Sequence, residues 1–314
     1  MISQIFLFIL SLCLLCGGAN LLVRGSGEIA RSLGVSGLVV GLTVVSLGTS
    51  APELFISVIA AMNGSAELAI GNVVGSNMAN IGLVMALTAI VAKLLVEPAV
   101  MSRVMNRGFV VMFATTVVVF PIMKDLTVSR EEGVFLVIIL CWYVYKIVAG
   151  AQARQASRPS SRTPASGKLP GSLALVVLGI CFLTYGSFLL RQSVTYLAAS
   201  MGVSELVIAL TMVSIGTSLP ELATSLTAAL KDEKGLAIGN IVGSNIFNLT
   251  LVLGITSIAA PISVSPEIIN KQYPAMLAIT VLLMVLAKIG DVISRRDGFI
   301  LVATYLGIVS WILL

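Results

Sequence analysis

The chain of 314 residues contains no histidine. That excludes imidazole metal sites, histidine general bases and histidine proton relays. Charge is scarce too: 11% of residues are Asp, Glu, Lys or Arg, against about 25% in soluble domains, so a soluble globular fold is excluded. The four cysteines, Cys13, Cys16, Cys141 and Cys181, all fall in apolar runs. Cys13 and Cys16 lie one helical turn apart and read as part of a packed helix face, not as a disulfide or metal pair. No HExxH motif and no nucleophile paired with a base occurs, which disfavours an intramembrane enzyme. The opening segment, MISQIFLFILSLCLLCGG, lacks the basic start of a signal peptide, and bulky Leu12 before Cys13 speaks against a lipoprotein box.

What is present is hydrophobic sequence, 58% of the chain, in runs long enough to cross a membrane. Ten spans are expected, near 2–23, 37–62, 68–90, 107–123, 131–149, 171–191, 203–230, 236–260, 274–290 and 297–314. The fold class is thus an all-α membrane protein of ten transmembrane helices. Residues 151–170, with QARQASRPSSRTPASGKLP at their centre, are basic and rich in Pro and Ser; they read as a linker between two five-helix halves, 1–150 and 171–314. With that basic linker placed in the cytoplasm, alternation leaves only Lys124, Arg130, Arg191 and Lys271 outside among the 19 Lys and Arg residues. The asymmetry puts both termini outside and the linker inside, in a plasma (inner) membrane.

The chain also repeats itself. Shifting it by 168 residues lays 41–84 over 209–252 without a gap, with 25 identities in 44 positions. The loops NGSAE and KDEKG share nothing. Five spans per half is an odd number, so the second copy is expected to cross the membrane in the opposite sense. Inverted repeats with broken helices are typical of alternating-access transporters, whose sites form where the repeats meet.

Each copy carries two signatures. The first, GTSxPE, comprises Gly48, Thr49, Ser50, Pro52 and Glu53, then Gly216, Thr217, Ser218, Pro220 and Glu221. The second, GNxxGSNxxN, comprises Gly71, Asn72, Gly75, Ser76, Asn77 and Asn80, then Gly239, Asn240, Gly243, Ser244, Asn245 and Asn248. Proline should break its helix, and Gly48 is expected to let the backbone leave the helical conformation. Freed carbonyls with Thr and Ser hydroxyls would then supply hard oxygen ligands.

Of the 33 charged residues, Glu53 and Glu221 alone are clearly mid-span, where a carboxylate is costly and marks a functional site. The plain alternative is that Ser50 and Glu53 form a capping box. For the GSN segments the alternative is close helix packing through glycine, which is compatible with a site. Two carboxylates among neutral oxygens, with no soft donor, suit Ca2+ or Na+.

The paired GTSxPE and GSNxxN signatures resemble the two alpha-repeats of the cation/Ca2+ exchanger superfamily, in particular the prokaryotic sodium/calcium exchangers. The resemblance implies an antiporter that exports Ca2+ against entering Na+, with no cofactor and no covalent chemistry. It implies Glu53 and Glu221 as Ca2+ ligands, Thr49 and Thr217 as backbone and side-chain ligands, and Ser76 and Ser244 at outer Na+ positions with the carbonyls of Ser46 and Ser214. Ser50, Ser218, Asn77, Asn80, Asn245 and Asn248 complete the candidate set. It further implies that the first span of each half slides across the core. One departure stands out: Asn248 lies where some Na+/Ca2+ exchangers carry aspartate. The residues therefore leave open an H+-coupled divalent-cation antiporter of the same fold and, in another class, an ion channel or non-transporting scaffold. The expected partners are the ions and the lipid bilayer, with no nucleic acid and no obligate protein partner.

Overall fold

The computed structural model of the protein describes residues 2–92, 94, 108–156, 169–200, 216–290 and 293–313. Most of the linker, the start of the expected seventh span and Ser214 lie outside the described residues. The chain is almost wholly helical. Helix α1 runs Ile2–Ser32; α2, Gly37–Thr49, and α3, Ala51–Met62, follow as a bent pair. Next come α4, Ala66–Ala92, α5, Val110–Ile122, α6, Arg130–Ala156, and α7, Leu169–Ser200. The last four are α8, Leu219–Leu230, α9, Lys234–Ala259, α10, Tyr273–Gly290, and α11, Arg295–Leu313. A two-residue antiparallel ladder pairs Thr127 with Ser263 and Val128 with Ile262.

Among the described residues, six helices are long and apolar enough to cross a membrane, or seven if the α2–α3 pair counts as one span. The expected spans without a full counterpart have definite causes. Helix α5 is short, and α11 opens on Arg295, Arg296 and Asp297. The expected span 203–230 is described only from Gly216 onward.

The most polar apolar helices sit in the middle. In α4 and α9, 78% and 83% of the apolar window is buried inside the protein, against 28% in α1 and 39% in α7. Both central helices carry GNxxGSN, whose small residues let backbones meet. A Cβ added at Gly243 would fall 2.1 Å from Ser46 Oγ and 3.0 Å from Leu42 Cα, and one at Gly239 would fall 2.7 Å from the Leu38 carbonyl oxygen. The close-packing reading of these glycines thus holds for α9 against α2 but fails at Gly71 of α4, where an added Cβ meets nothing within 4 Å.

Helices α1 and α7 form a second tight pair on the outside of that core. Added Cβ atoms at Gly18, Gly25 and Gly186 would meet Gly179 O at 2.8 Å, Ser172 O at 2.7 Å and Ser11 O at 3.1 Å. These contacts descend α7 as they climb α1, so the two helices run antiparallel. The small residues recur every seventh position on both helices, the spacing of a continuous seam.

Two local expectations are resolved by the backbone. The chain does break at the first signature: α2 ends at Thr49, Ser50 has φ −83° and ψ 4°, and α3 leaves at 42° with Pro52 in its first turn. Ser218 repeats this geometry at φ −79° and ψ 2°. Gly48, however, stays helical, and the positive-φ glycines among the described residues are Gly34 and Gly64. Gly48 serves close approach instead: a Cβ there would lie 2.5 Å from Ile180 Cδ1 of α7.

Candidate functional site

Glu53 and Glu221 sit in the first turns of α3 and α8, just past the two breaks, and both side chains are fully buried. The capping-box alternative is overturned. Ser50 makes no side-chain cap bond; its hydroxyl donates across the repeat to Glu221 Oε1 at 3.4 Å. Genuine boxes exist elsewhere. Ser129 and Glu132 open α6, with the Ser129 N–H donating to Oε2 at 2.8 Å and the Glu132 N–H donating back to Oγ at 3.3 Å. Ser294 and Asp297 do the same for α11. Serine and acid three apart therefore cap in this protein where the helix end is partly exposed, and do something else where it is buried.

Around the carboxylates, hydrogen bonds repeat across the 168-residue offset. Thr49 Oγ1 donates to Asn240 Oδ1 at 3.0 Å, and Thr217 Oγ1 donates to Asn72 Oδ1 at 3.4 Å. Each threonine hydroxyl also meets a serine of the opposite repeat: Thr49 with Ser244 at 3.3 Å, Thr217 with Ser76 at 3.0 Å. Since each threonine hydrogen goes to an asparagine, the serines must donate there.

Asn72 and Asn240 lie one layer behind. Asn72 Nδ2 donates to Ser57 Oγ at 3.0 Å and to the Glu53 carbonyl at 3.3 Å. Asn240 Nδ2 donates to Ser225 Oγ at 3.0 Å and to the Glu221 carbonyl at 3.5 Å. Each asparagine thereby grips the glutamate backbone of its own repeat and the threonine of the other. Asn72 and Asn240 read in the sequence as helix-packing residues, and Ser57 and Ser225 went unremarked. Their signal was available, because all four are identities of the internal repeat.

The asparagines further along are divided. Asn77 Nδ2 donates to the Asn245 carbonyl at 3.3 Å, and Asn248 Nδ2 donates to Asn77 Oδ1 at 3.2 Å. Asn245 turns back to Ile241 of its own helix at 2.8 Å. Asn77 thus ties α4 to α9. Ser46 Oγ donates to the Gly41 carbonyl at 2.6 Å and also reaches the Asn240 carbonyl at 3.0 Å, while its own carbonyl accepts the Ser50 N–H at 3.0 Å.

The backbone near these residues winds more widely than an α-helix. Residues Gly41–Val45, Asn80–Met85 and Asn248–Val252 are π-helical. Such turns cluster at functional sites. No residue type signals them, because one extra residue per turn is set by the packing of neighbours.

Several buried polar atoms here meet no donor or acceptor at hydrogen-bond geometry: both Oε atoms of Glu53, Oε2 of Glu221, Ser218 Oγ, Asn80 Oδ1 and Nδ2, and Asn248 Oδ1. No ion pair among the described residues involves either glutamate. Buried polar atoms are satisfied almost everywhere in proteins, so a cluster of exceptions, nearly all oxygens, describes a place for a positive ligand. A carboxylate pair without a basic neighbour is stable only with a cation between or a proton on it. Removing the inner clamp should be costly. Asn72→Ala leaves two acceptors and one donor unpaired, at about 1–3 kcal/mol each. We expect at least about tenfold weaker Ca2+ binding, a lower midpoint of thermal unfolding, and a closely similar result for Asn240→Ala. Unchanged Ca2+ titrations of both variants would contradict the clamp.

Fold and site together define a class: an all-helical protein, with helices long and apolar enough to cross a membrane, that buries two carboxylates among hydroxyl and amide oxygens. The chain belongs to the sodium/calcium exchanger protein family, which matches residues 3–148 and 171–314. It is 30% identical to the sodium/calcium exchanger MaX1 of Methanosarcina acetivorans over 97% of both chains. It is 32% identical to the inner membrane protein YrbG of Escherichia coli (strain K12), covering 89% of this chain and 87% of that one. A solved structure of the sodium-calcium exchanger NCX_Mj superposes with a TM-score of 0.85 at 30% identity, covering 98% of each chain.

Proposed function

We propose that this protein is a secondary antiporter that exports Ca2+ in exchange for Na+ by alternating access. The observation that carries the reading is the pair of fully buried carboxylates Glu53 and Glu221, which pair with no Lys or Arg among the described residues and are set among hydroxyl, amide and carbonyl oxygens. One Ca2+ would neutralise the two glutamates and take its six to eight oxygens from them and from Thr49, Thr217, Ser50, Ser218, Asn80 and Asn248. Na+ accepts the same hard oxygens, so the two ions compete for one cluster. Ser76, Ser244, Asn77, Asn245 and the carbonyls of Ser46 and Ser214 would extend it.

The topology proposed is ten spans in two inverted halves, 1–150 and 171–314, joined by a cytoplasmic linker, with both termini outside the inner membrane. The antiparallel α1–α7 pair supports the inversion, because each is the first helix of its half. Reciprocal hydrogen bonds across the 168-residue offset support it further. No step makes or breaks a covalent bond; the partners are the ions and the bilayer, with neither a cofactor, a nucleic acid nor an obligate protein partner. Relatives that carry the sodium/calcium exchanger name favour Na+ over H+ as the coupling ion.

The test is uptake of radiolabelled Ca2+ by proteoliposomes under an imposed outward Na+ or H+ gradient. Uptake is expected with the Na+ gradient. Uptake driven by the pH gradient alone would refute the Na+ assignment.

A further inference from the structure

The two ends of the α1–α7 helix pair are built differently. At one end a chain of charged side chains ties the pair to the core. Arg24 Nε donates to Glu28 Oε1 at 3.1 Å, and Glu28 Oε2 accepts the Ser172 hydroxyl of α7 at 2.8 Å. One turn further along α1, Arg31 Nη1 meets Glu233 Oε1 at 3.4 Å. Glu233 is the residue before α9, and its side chain makes no cap bond to that helix. Its carboxylate sits beside α1 and α2 instead: a Cβ added at Gly27 would lie 3.4 Å from Oε1, and one at Gly37 3.6 Å from Oε2. The neighbouring Lys234 and Asp232 pair with each other at 2.9 Å, so the pair that crosses to α1 is Arg31 with Glu233.

The opposite end has none of this. The 168-residue offset carries Arg24, Glu28 and Arg31 onto Gln192, Tyr196 and Ala199, and Glu233 onto Ser65, so every one of the four charges has a neutral counterpart. The packing differs in the same sense. Helix α1 lies along α8, which runs from Glu221 toward the charged end. Among the described residues, α7 makes no comparable contact with α3, which runs from Glu53 toward the other end. The molecule is therefore shut beside its charged end, and in the topology proposed above that end is the cytoplasmic one.

We propose that the Arg31–Glu233 ion pair is a latch that holds the ion path closed on the cytoplasmic side. The inference rests on the alternating access proposed above, in which α1 and α7 shift against the core to which α9 belongs. Contacts that join those two bodies at the inner end must part before the carboxylates can face the cytoplasm, and this pair is one of them. An ion pair in partial contact with water shifts an equilibrium about two- to fivefold. That strength suits a latch that opens once in every cycle. Loss of the latch enlarges a small inward-open fraction. The apparent affinity at the cytoplasmic face then rises in proportion, and that at the outer face stays almost unchanged.

The experiment is uptake of radiolabelled Ca2+ by Na+-loaded membrane vesicles, inside-out to read the cytoplasmic face and right-side-out to read the outer one. Arg31→Gln and Glu233→Gln should each lower the half-saturating Ca2+ about two- to fivefold at the cytoplasmic face alone. The difference from the unsubstituted protein should fade in high choline chloride, which screens the pair. Arg31→Glu combined with Glu233→Arg should return toward the unsubstituted value, which also controls for folding. Equal shifts at both faces, no shift, insensitivity to salt or a double variant no better than Arg31→Glu alone would each overturn the latch. Backbone hydrogen exchange at the end of α1 and the start of α9 gives a reading that needs no transport. It should quicken about two- to fivefold in the glutamine variants and recover in the double variant. A protein that exchanges no Ca2+ for Na+ would refute the antiport reading, and hydrogen exchange would still decide whether the pair holds α1 to the core.

Discussion

Glu53→Gln and Glu221→Gln should each abolish Na+-dependent Ca2+ uptake and weaken Ca2+ binding by at least about 1000-fold, or about 4 kcal/mol. Glutamine keeps the size and one oxygen of the side chain and removes only its charge. A divalent ion between two carboxylates loses half its charge compensation in that exchange, at short range and away from bulk water. The ion-free protein should respond in the opposite sense. With one buried charge gone, self-repulsion between the glutamates disappears, so the midpoint of thermal unfolding without Ca2+ should rise or hold. The upward shift that Ca2+ gives the unsubstituted protein should vanish. Thermal unfolding with and without Ca2+ reads both effects. Ca2+ binding that survives in both variants would remove the carboxylates from the site.

Gly179→Leu should be the most damaging change outside the cation cluster. The atoms a Cβ at Gly179 would meet are the Leu22 amide nitrogen at 2.7 Å and the Gly18 carbonyl oxygen at 2.8 Å, backbone that cannot rotate aside. The whole side chain fits only if α1 and α7 separate along the seam. Overpacking costs about 1–3 kcal/mol where side chains can shift, and this site lies at or beyond the upper end. The expected result is loss of transport with a lowered unfolding midpoint, while Gly171→Leu, where an added Cβ meets nothing within 4 Å, should leave both unchanged. Full transport by the Gly179 variant would mean that the helix pair need not stay in contact.

The sequence made the candidate site legible through chemistry that lipid penalises. Glu53 and Glu221 stand out because charge is rare in the chain, and the duplication of GTSxPE marks them as a pair. Pro52 foretold the break after Thr49, since a missing N–H and a bulky ring act locally. Other features depend on distant contacts and left weaker traces. Gly48 is there for Ile180, more than a hundred residues away, so the local sequence points to a backbone role that the folded chain does not use. Ser50 and Glu53 have the spacing of a cap but spend their side chains across the repeat. The π turns at Asn80 and Asn248 have no residue signature, because they arise from how α4 and α9 lie against their neighbours. The hold of Asn72 and Asn240 on the glutamate backbones was present in the repeat identities, yet only folding shows which atoms they join.

The glycine seam between α1 and α7 has a mechanical consequence. Backbones in direct contact along several turns cannot shear past one another without riding up over Gly18, Gly25, Gly179 and Gly186. Any displacement of α1 along its axis would therefore carry α7 with it, so the two helices are expected to move as a single body. If alternating access runs through this pair, a body that moves as one would open the site to one side of the membrane at a time, and the seam would also guard against a leak.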